Sequence, residues 1–159
     1  MQAAHPDTAH HLLEAQYRES LAAVTECMFA AAGIGPGHRV LDIGTGAGET
    51  ALLAAERAGP TGRVLATDVS VAAMEGLAAH IRTQPRPLSI TLEWIAAESL
   101  ALDPGSFDVA LARNSVMYFT DLPRALTNIR AALRTGGRFI ASVYGPLERE
   151  SFHAIPVAA

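Results

Sequence analysis

Apolar and polar residues alternate in blocks along this chain. Five short apolar runs have the length of buried strands, and between them apolar residues recur every three or four positions, which is the helical period. The predicted strands are Arg39–Ile43, Arg63–Asp68, Ser89–Ile95, Phe107–Ala112 and Arg138–Tyr144. Strands that alternate with helices in this way form βαβ units with right-handed crossovers. The pattern therefore predicts an α/β fold with a Rossmann-like, doubly wound and mostly parallel sheet of about five strands, with helices on both faces.

Four helices are predicted by the same spacing. The first carries one apolar stripe and ends near Gly33, and the second, Glu49–Ala58, is rich in alanine. Ser70 is placed to cap the third, and Gly136-Gly137 are expected to end the fourth, which Asp121 opens. The stripe positions are Leu13, Tyr17, Leu21, Val24 and Met28 in the first helix, Met74, Leu77 and Ile81 in the third, and Leu122, Leu126, Ile129 and Leu133 in the fourth.

At 159 residues, half of them hydrophobic, the chain is expected to build one core and one main domain. We divide it into an N-terminal helical segment over residues 1–34 that packs on the core, a Rossmann-like domain over 35–145 and an irregular tail over 146–159.

Candidate functional residues lie directly after the predicted strands. Ligands of open parallel sheets bind outside the carboxyl ends of the strands, near the point where the strand order reverses. The residues in those positions are Asp42 and Gly44 after the first strand, Asp68 after the second, Ala97-Glu98 after the third and Arg113-Asn114 after the fourth.

The segment Leu41-Asp42-Ile43-Gly44-Thr45-Gly46-Ala47-Gly48-Glu49 is the most informative stretch of the chain. Glycines at alternate positions suit a tight turn with positive φ and let a ligand approach the backbone closely. The dinucleotide fingerprint G-x-G-x-x-G does not fit, because Glu49 stands where its last glycine belongs. A carboxylate at Asp42 suits a positively charged group better than a pyrophosphate. The motif therefore disfavours NAD.

This acid-x-G-x-G-x-G pattern resembles motif I of the class I S-adenosylmethionine-dependent methyltransferases. The resemblance implies that Asp42, Gly44, Thr45 and Gly46 hold the amino-acid end of S-adenosylmethionine, and that Arg113 lies where the family's backbone reaches the methionine moiety. Asp68, 24 residues after Gly44, stands where a ribose-binding acid belongs. Two alternatives are open from the residues alone: Asp68 as a helix cap and the Arg113 side chain as a surface charge.

Residues 35–145 resemble the ubiquinone- and menaquinone-biosynthesis-like branch of that family, often grouped as type 11. The matching stretches are Ala97-Glu98-Ser99-Leu100, Pro104-Gly105-Ser106-Phe107-Asp108-Val109 and Leu126–Leu133 with Thr135-Gly136-Gly137. Family members commonly carry an aspartate where this chain has Ala96. The resemblance therefore implies that adenine depends on the backbone near Ala97, on Glu98 and on apolar packing from Val69.

Family members usually continue past the fifth strand with two more strands and a cap that shapes the acceptor pocket. We therefore expect this chain to be truncated relative to the family, with an open edge at the fifth strand. A second copy or a partner chain is expected to cover that edge.

Composition narrows the remaining functions. A net charge of −4 with 18% charged residues gives no basic field for nucleic acid. The lone Cys27 is expected to be buried in a helical stripe and to point to a reducing cytoplasm. No signal peptide, membrane span or metal-ligand spacing is recognised. Trp94 is expected in the core, and neither His153 nor Tyr118 is identified as a catalytic base.

The sequence thus favours methyl transfer from S-adenosylmethionine to an oxygen, nitrogen or carbon of a small molecule, with no catalytic residue assigned. The alternative is a cofactor-binding module that lacks its own complete acceptor pocket. NAD-dependent reduction is the third and least favoured hypothesis.

Overall fold

The computed structural model describes residues 21–145 and the backbone of residues 153–158. In chain order the elements are α1 (21–32), β1 (Arg39–Ile43), α2 (Glu49–Ala58), β2 (Arg63–Asp68), α3 (Val71–Arg82), β3 (Ile90–Trp94), β4 (Phe107–Arg113), α4 (Leu122–Ala132), β5 (Leu133–Val143) and β6 (His153–Ala158). Short 3₁₀ turns at Ala97–Ser99 and Val116–Tyr118 follow β3 and β4.

The strands form one sheet in the order β3-β2-β1-β4-β5-β6. The pairs from β3 through β5 are parallel, and the pairing of β5 with β6 is antiparallel. This arrangement confirms the predicted Rossmann-like α/β fold. The strand order reverses between β1 and β4, so a ligand crevice is expected at the carboxyl ends of these two strands.

Two apolar layers cover the sheet. One layer lies between the sheet and helices α1, α2 and α3. Its helix residues include Met28, Phe29 and Leu77, all at most 1% exposed. The other face packs against α4 and includes Leu41, Ile43 and Ile129. The buried residues of α2 are Thr50 and four alanines, and their short side chains allow this helix to lie close to the sheet.

Asp108, at the start of β4, ties the amino ends of three strands together. Its carboxylate accepts hydrogen bonds from the backbone and guanidinium of Arg39 at 2.8–3.1 Å and from Arg134 Nε at 2.6 Å. The Arg39 guanidinium, helped by the Arg39 amide and by Arg134, holds the pKa of Asp108 well below its usual range. This network lies at the end of the sheet opposite the ligand crevice.

The junction of α4 and β5 differs from the prediction. Helix α4 ends at Ala132 and strand β5 begins at once with Leu133, so Gly136-Gly137 lie inside the strand rather than at the helix end. Gly136 has φ 75°, and the pairing register shifts there, as expected for a bulge. The buried face of α4 is Ala125, Ile129 and Ala132, whereas Leu122 and Leu126 are 39% and 36% exposed. The small alanines on that face let the helix approach the sheet, which the apolar spacing alone did not reveal.

The expected irregular tail also needs correction. Residues 146–159 include β6, whose backbone pairs with β5 from Arg138↔Ala158 to Val143↔His153. The predicted open edge at the fifth strand is therefore occupied, and the reason given for a partner chain at that edge is removed.

Two further expectations are wrong. Cys27 is exposed, because the buried face of α1 runs through Val24, Met28 and Ala32 and turns Cys27 outward. Trp94 is 68% exposed rather than in the core, because it ends the edge strand β3.

Several predictions fall outside the described residues. They are Leu13 and Tyr17 in the first stripe, the rest of residues 1–20, the continuation over 146–152 and the side chain of His153. Within the described part of the chain, no helix has the length and apolar character needed to cross a membrane. The helical stripe of α3 is confirmed, with Met74 and Leu77 buried and Ser70 Oγ accepting from the Ala73 amide at 3.2 Å.

Candidate active site

The glycine-rich loop connects β1 to α2 at the predicted crevice. Gly44, Gly46 and Gly48 have φ of 69°, 54° and 85°, as the alternating glycines predicted. The amides of Gly44 and Thr45 donate to the Thr67 carbonyl at 2.8 and 3.0 Å, which fixes the loop against the end of β2. The loop is thus held by backbone bonds and leaves its outer surface available to a ligand.

Two glycines of this loop are required by their neighbours as well as by their φ. A Cβ added at Gly44 would overlap the Cβ of Ser115, and one added at Gly48 would overlap the Leu77 side chain from α3. Nothing lies within 4 Å of a Cβ added at Gly46. Gly46 therefore faces open space, consistent with a place where a ligand meets the backbone.

Asp42 lies beneath the loop and is 1% exposed. Its Oδ2 accepts from the Thr45 hydroxyl at 2.6 Å, whereas its Oδ1 is buried without a partner in the described structure. Burial raises the pKa of Asp42 to about 6, an effect opposed by the Thr45 hydrogen bond and the charge of Arg113 and reinforced by Asp68. Desolvation disfavours the carboxylate, so a cation bound here would favour ionisation.

Asp68, at the end of β2, spans the loop and the next helix. Its Oδ2 accepts from the Gly46 amide and its Oδ1 from the Ser70 amide, both at 2.8 Å. Each carboxylate oxygen has a second lone pair, so both structural bonds leave capacity for further donors. Asp68 therefore joins the glycine loop to the residue that precedes α3, whereas the helix cap is Ser70 and not Asp68.

Glu98 and Ala97 form the 3₁₀ turn after β3. Glu98 Oε1 accepts from the Thr120 amide, the Thr120 hydroxyl and the Asp121 amide. A hydrogen bond from its own backbone amide, together with those from Asp121 and Thr120, holds the pKa of Glu98 below its usual range. The carbonyls of Ala97 and Glu98 accept from Asn128 Nδ2 at 3.2 and 2.9 Å. This turn is thereby fixed to the start of α4 and to the middle of that helix.

Three consecutive residues at the end of β4 bond to different elements. Arg113 Nη2 lies 2.6 Å from Glu49 Oε2 of α2, and Nη1 donates to Thr25 Oγ1 of α1 at 2.7 Å. Asn114, with φ 53°, bonds to Ser142 of β5, and Ser115 Oγ donates to the Ile43 carbonyl of β1 at 2.7 Å. The Arg113 side chain is 15% exposed. It is therefore an internal link rather than a surface charge.

A cavity of about 400 Å³ opens at the carboxyl ends of β1, β2 and β4. The predicted site residues among its lining are Gly44, Asp68, Val69, Ala97 and Glu98. The other lining residues are Ile43, Ile95, Ala96, Asn114, Ser115, Tyr118, Phe119 and Thr120. Asp42, Thr45, Gly46 and Arg113 do not line this cavity but are joined to it through the glycine loop and the end of β4.

Sequence reasoning gave no site role to several lining residues. One of them is Ser115, whose side chain lies against Gly44 and whose Oγ donates to the Ile43 carbonyl. Asn114 is the one non-glycine residue with positive φ in the described structure, a conformation that asparagine tolerates better than most residues. The sequence had already placed Asn114 among the candidates directly after the fourth predicted strand, and the structure places it in the cavity lining.

A second cavity, of about 570 Å³, lies between the end of α2 and the proline-containing segment 84–89. It contains none of the residues predicted for the site. Among the residues that the structure describes, no cluster of His, Cys, Asp and Glu has the arrangement to hold a metal ion.

Comparison with known proteins is consistent with this geometry. Residues 40–137 match the family described as "Methyltransferase domain". The "Ubiquinone/menaquinone biosynthesis C-methyltransferase UbiE" of Cupriavidus taiwanensis is 30% identical over 135 residues, covering 80% of this chain and 55% of that protein. The "2-phytyl-1,4-naphtoquinone methyltransferase" of Trichormus variabilis is 32% identical over 109 residues, covering 67% of this chain and 46% of its own length.

A solved structure resembles the fold in a similar way. The arsenic (III) S-adenosylmethionine methyltransferase CrArsM from Chlamydomonas reinhardtii superposes with a TM-score of 0.65 at 30% identity. The match covers 70% of this chain and 40% of that one. The chain thus spans about half the length of the curated relatives it matches.

Proposed function

The chain belongs to the class I S-adenosylmethionine-dependent methyltransferases, and from this membership we propose that it transfers a methyl group from S-adenosylmethionine to a small-molecule acceptor. The described cavity and the glycine loop contain the residues that would form the donor site. The acceptor is proposed only as a chemical class.

The observation that carries the proposal is the unpartnered Oδ1 of Asp42. A buried carboxylate oxygen without a hydrogen bond is costly unless a donor reaches it. The amino-acid end of S-adenosylmethionine has an ammonium group, which satisfies such an oxygen directly or through water. The cationic group of NAD is its nicotinamide ring. The charged ring nitrogen carries no hydrogen and therefore cannot donate to Asp42 as an ammonium group does.

The remaining residues of the site contact different parts of the cofactor. Gly44 and Gly46, with Thr45 between them, admit its amino-acid end to the backbone, and Asp68 accepts from the ribose hydroxyls with the lone pairs that its structural bonds leave. Val69, Ala97 and Glu98 border adenine at the other end of the cavity. The Arg113 backbone approaches the methionine moiety, while its side chain anchors α1 and α2.

When bound, S-adenosylmethionine supplies an activated methyl group whose leaving group is a neutral thioether. The protein therefore needs to position donor and acceptor and to exclude water rather than to provide an acid. Relatives named for ubiquinone, menaquinone and naphthoquinone substrates support a small aromatic acceptor. The single cysteine of the chain is compatible with a reducing, cytoplasmic setting, which we retain as part of the proposal.

A second candidate is a cofactor-binding module whose acceptor pocket is completed elsewhere. It is favoured by the lining of the described cavity, which accounts for the adenosine portion but includes no assigned catalytic base. Self-association or a partner chain belongs to this candidate and is not needed for cofactor binding itself.

Calorimetry with S-adenosylhomocysteine and NAD tests the donor site, and product mass measurement with a panel of phenols, amines and quinols tests the transfer. We expect S-adenosylhomocysteine to bind at 1:1 stoichiometry and NAD not to bind. Ligand at 100 times its Kd should raise the free energy of unfolding by about 2.7 kcal/mol. Tighter binding of NAD overturns the proposal, and cofactor binding without any methylated product favours the second candidate.

A further inference from the structure

Trp94 occupies an unusual place for a tryptophan. It is the single tryptophan of the chain, it ends the edge strand β3, and 68% of it is exposed. A side chain this exposed contributes little to the core, so burial does not account for the large ring. Its polar atom is nevertheless engaged: the indole N–H donates to the Val69 carbonyl at 2.7 Å.

That bond joins Trp94 to the wall of the cavity. In the parallel register Trp94 lies opposite Asp68, and the amide of the next residue, Ile95, donates to the Asp68 carbonyl at 3.1 Å. Val69 follows Asp68, lines the cavity and is 65% exposed. The segment that carries Val69 is thus fixed from the β3 side by two adjacent hydrogen bonds, one from backbone and one from the indole.

We propose that Trp94 is a positioning residue for the adenine end of the donor site, acting through Val69. The inference rests on the proposed function, since Val69 packs against adenine only if the cavity holds S-adenosylmethionine. Without the indole bond the Val69 carbonyl turns to solvent and its side chain loses its fixed place on the wall. Trp94 itself touches no reacting atom.

The test uses the variant W94F, which keeps an aromatic ring and removes the N–H donor, with E93Q as the matched control on the same exposed strand. Dissociation constants are measured by calorimetry for S-adenosylhomocysteine, adenosine and homocysteine. Loss of one hydrogen bond corresponds to an affinity about five-fold weaker. We expect that change for S-adenosylhomocysteine and adenosine in W94F, no change for homocysteine, and no change for any probe in E93Q.

A double-mutant cycle with V69A tests whether Trp94 acts through Val69. The V69A variant keeps the accepting carbonyl but removes the side chain being positioned. We expect W94F to weaken adenosine binding less in the V69A background than in the wild type, as coupled residues do. Equal losses in both backgrounds overturn the assignment to Val69.

The fluorescence of Trp94 supplies a readout that does not depend on a variant folding well. Adenosine and S-adenosylhomocysteine should change its emission, and homocysteine should not. One outcome overturns the role of Trp94 and leaves the proposed function intact. In that outcome the wild type binds S-adenosylhomocysteine without a change in emission, and W94F binds it with an unchanged Kd. Failure of the wild type to bind S-adenosylhomocysteine overturns the proposed function and this inference with it.

Discussion

The carboxylate of Asp68 accepts a hydrogen bond from the backbone amide of Gly46, 22 residues earlier in the chain, at 2.8 Å. The same carboxylate accepts from the Ser70 amide at the start of α3. One side chain at the end of β2 therefore fixes both the glycine loop and the following helix. A ligand that binds Asp68 would therefore affect both the glycine loop and α3.

Replacing Asp68 should separate its structural bonds from a ribose contact. The D68A variant leaves two amides without acceptors, so we expect the free energy of unfolding to fall by about 2 kcal/mol. In the wild type, adenosine should bind more tightly than 2′,3′-dideoxyadenosine, and in D68A that preference should disappear. If calorimetry shows the preference unchanged in D68A, Asp68 is a brace and the ribose role is wrong.

Asp42 should make cofactor binding dependent on pH. Burial raises the pKa of Asp42 to about 6, so below pH 6 the carboxyl group of the free protein is mostly protonated. That proton must be released before the carboxylate can pair with an ammonium group. The affinity for S-adenosylhomocysteine should fall about ten-fold between pH 7 and pH 5. The D42N variant should bind weakly with a flat profile. A wild-type profile that is equally flat over this range would contradict the assignment of Asp42 to the ammonium group.

The raised pKa of Asp42 also predicts how the free energy of unfolding of the ligand-free protein changes with pH. A carboxyl group whose pKa is higher in the folded protein than in the unfolded chain favours folding when it is protonated. The ligand-free wild type should therefore gain stability relative to D42N as pH falls from about 6 to about 4. Urea unfolding at several pH values measures this difference, and a loss over that interval would contradict it.

Alanine at two glycines of the loop should give opposite patterns. G48A forces a Cβ into the Leu77 side chain, whereas G46A meets nothing within 4 Å. Both positions have positive φ, which costs alanine about 1–2 kcal/mol. We expect G48A to lose clearly more stability than G46A, and G46A to lose mainly affinity for S-adenosylhomocysteine. Thermal unfolding measures the stability of the two variants, and calorimetry measures their affinity for S-adenosylhomocysteine. An unchanged affinity in G46A would contradict a ligand contact at Gly46.

Asp108 should stabilise the opposite end of the sheet. The D108N variant leaves Arg39 and Arg134 with a weaker partner in a half-buried network, so we expect a loss of about 2 kcal/mol. The control is E26Q, because Glu26 is 63% exposed in its pair with Arg57 and such pairs contribute about 0–1 kcal/mol.

The stability conferred by Asp108 should also follow pH. Its pKa is lower in the folded protein, so its contribution is complete above about pH 4, the ordinary value for an aspartate, and is lost as pH falls below that. The difference between wild type and D108N in urea unfolding should therefore shrink in acid. A difference that grows in acid would contradict the ion-pair account.

The sequence predicted the parallel strands and the donor-site motif because these depend on local patterns. Short apolar runs between helices define the strands, and Asp42 with its glycines is one contiguous segment. The exposure of Trp94 and Cys27 was not predictable in the same way, because each depends on which neighbour covers it. Strand β6 was missed because it pairs antiparallel with β5 and the sequence from residue 146 to residue 159 shows little regular pattern of apolar positions.

The ends of α4 show the same limit. Gly136 was read as a helix stop, but the backbone uses its positive φ for a bulge within β5. A glycine pair marks a break in regular structure, and the sequence does not say which kind of element is broken. In the site, Asp68 was recognised as important, whereas its bonds to Gly46 and Ser70 became visible only when β2 and the loop were placed together.

The three linked residues at the end of β4 also bear on how this scaffold diversifies. Arg113, Asn114 and Ser115 bond to α1, β5 and β1 respectively, so replacing any of them disturbs a contact between elements of the fold. Tyr118 lines the same cavity and is 74% exposed. Replacing the Tyr118 side chain is therefore expected to disturb fewer contacts between elements than replacing any of the three residues before the turn. A mutational library aimed at new acceptors would start there and keep residues 113–115 constant.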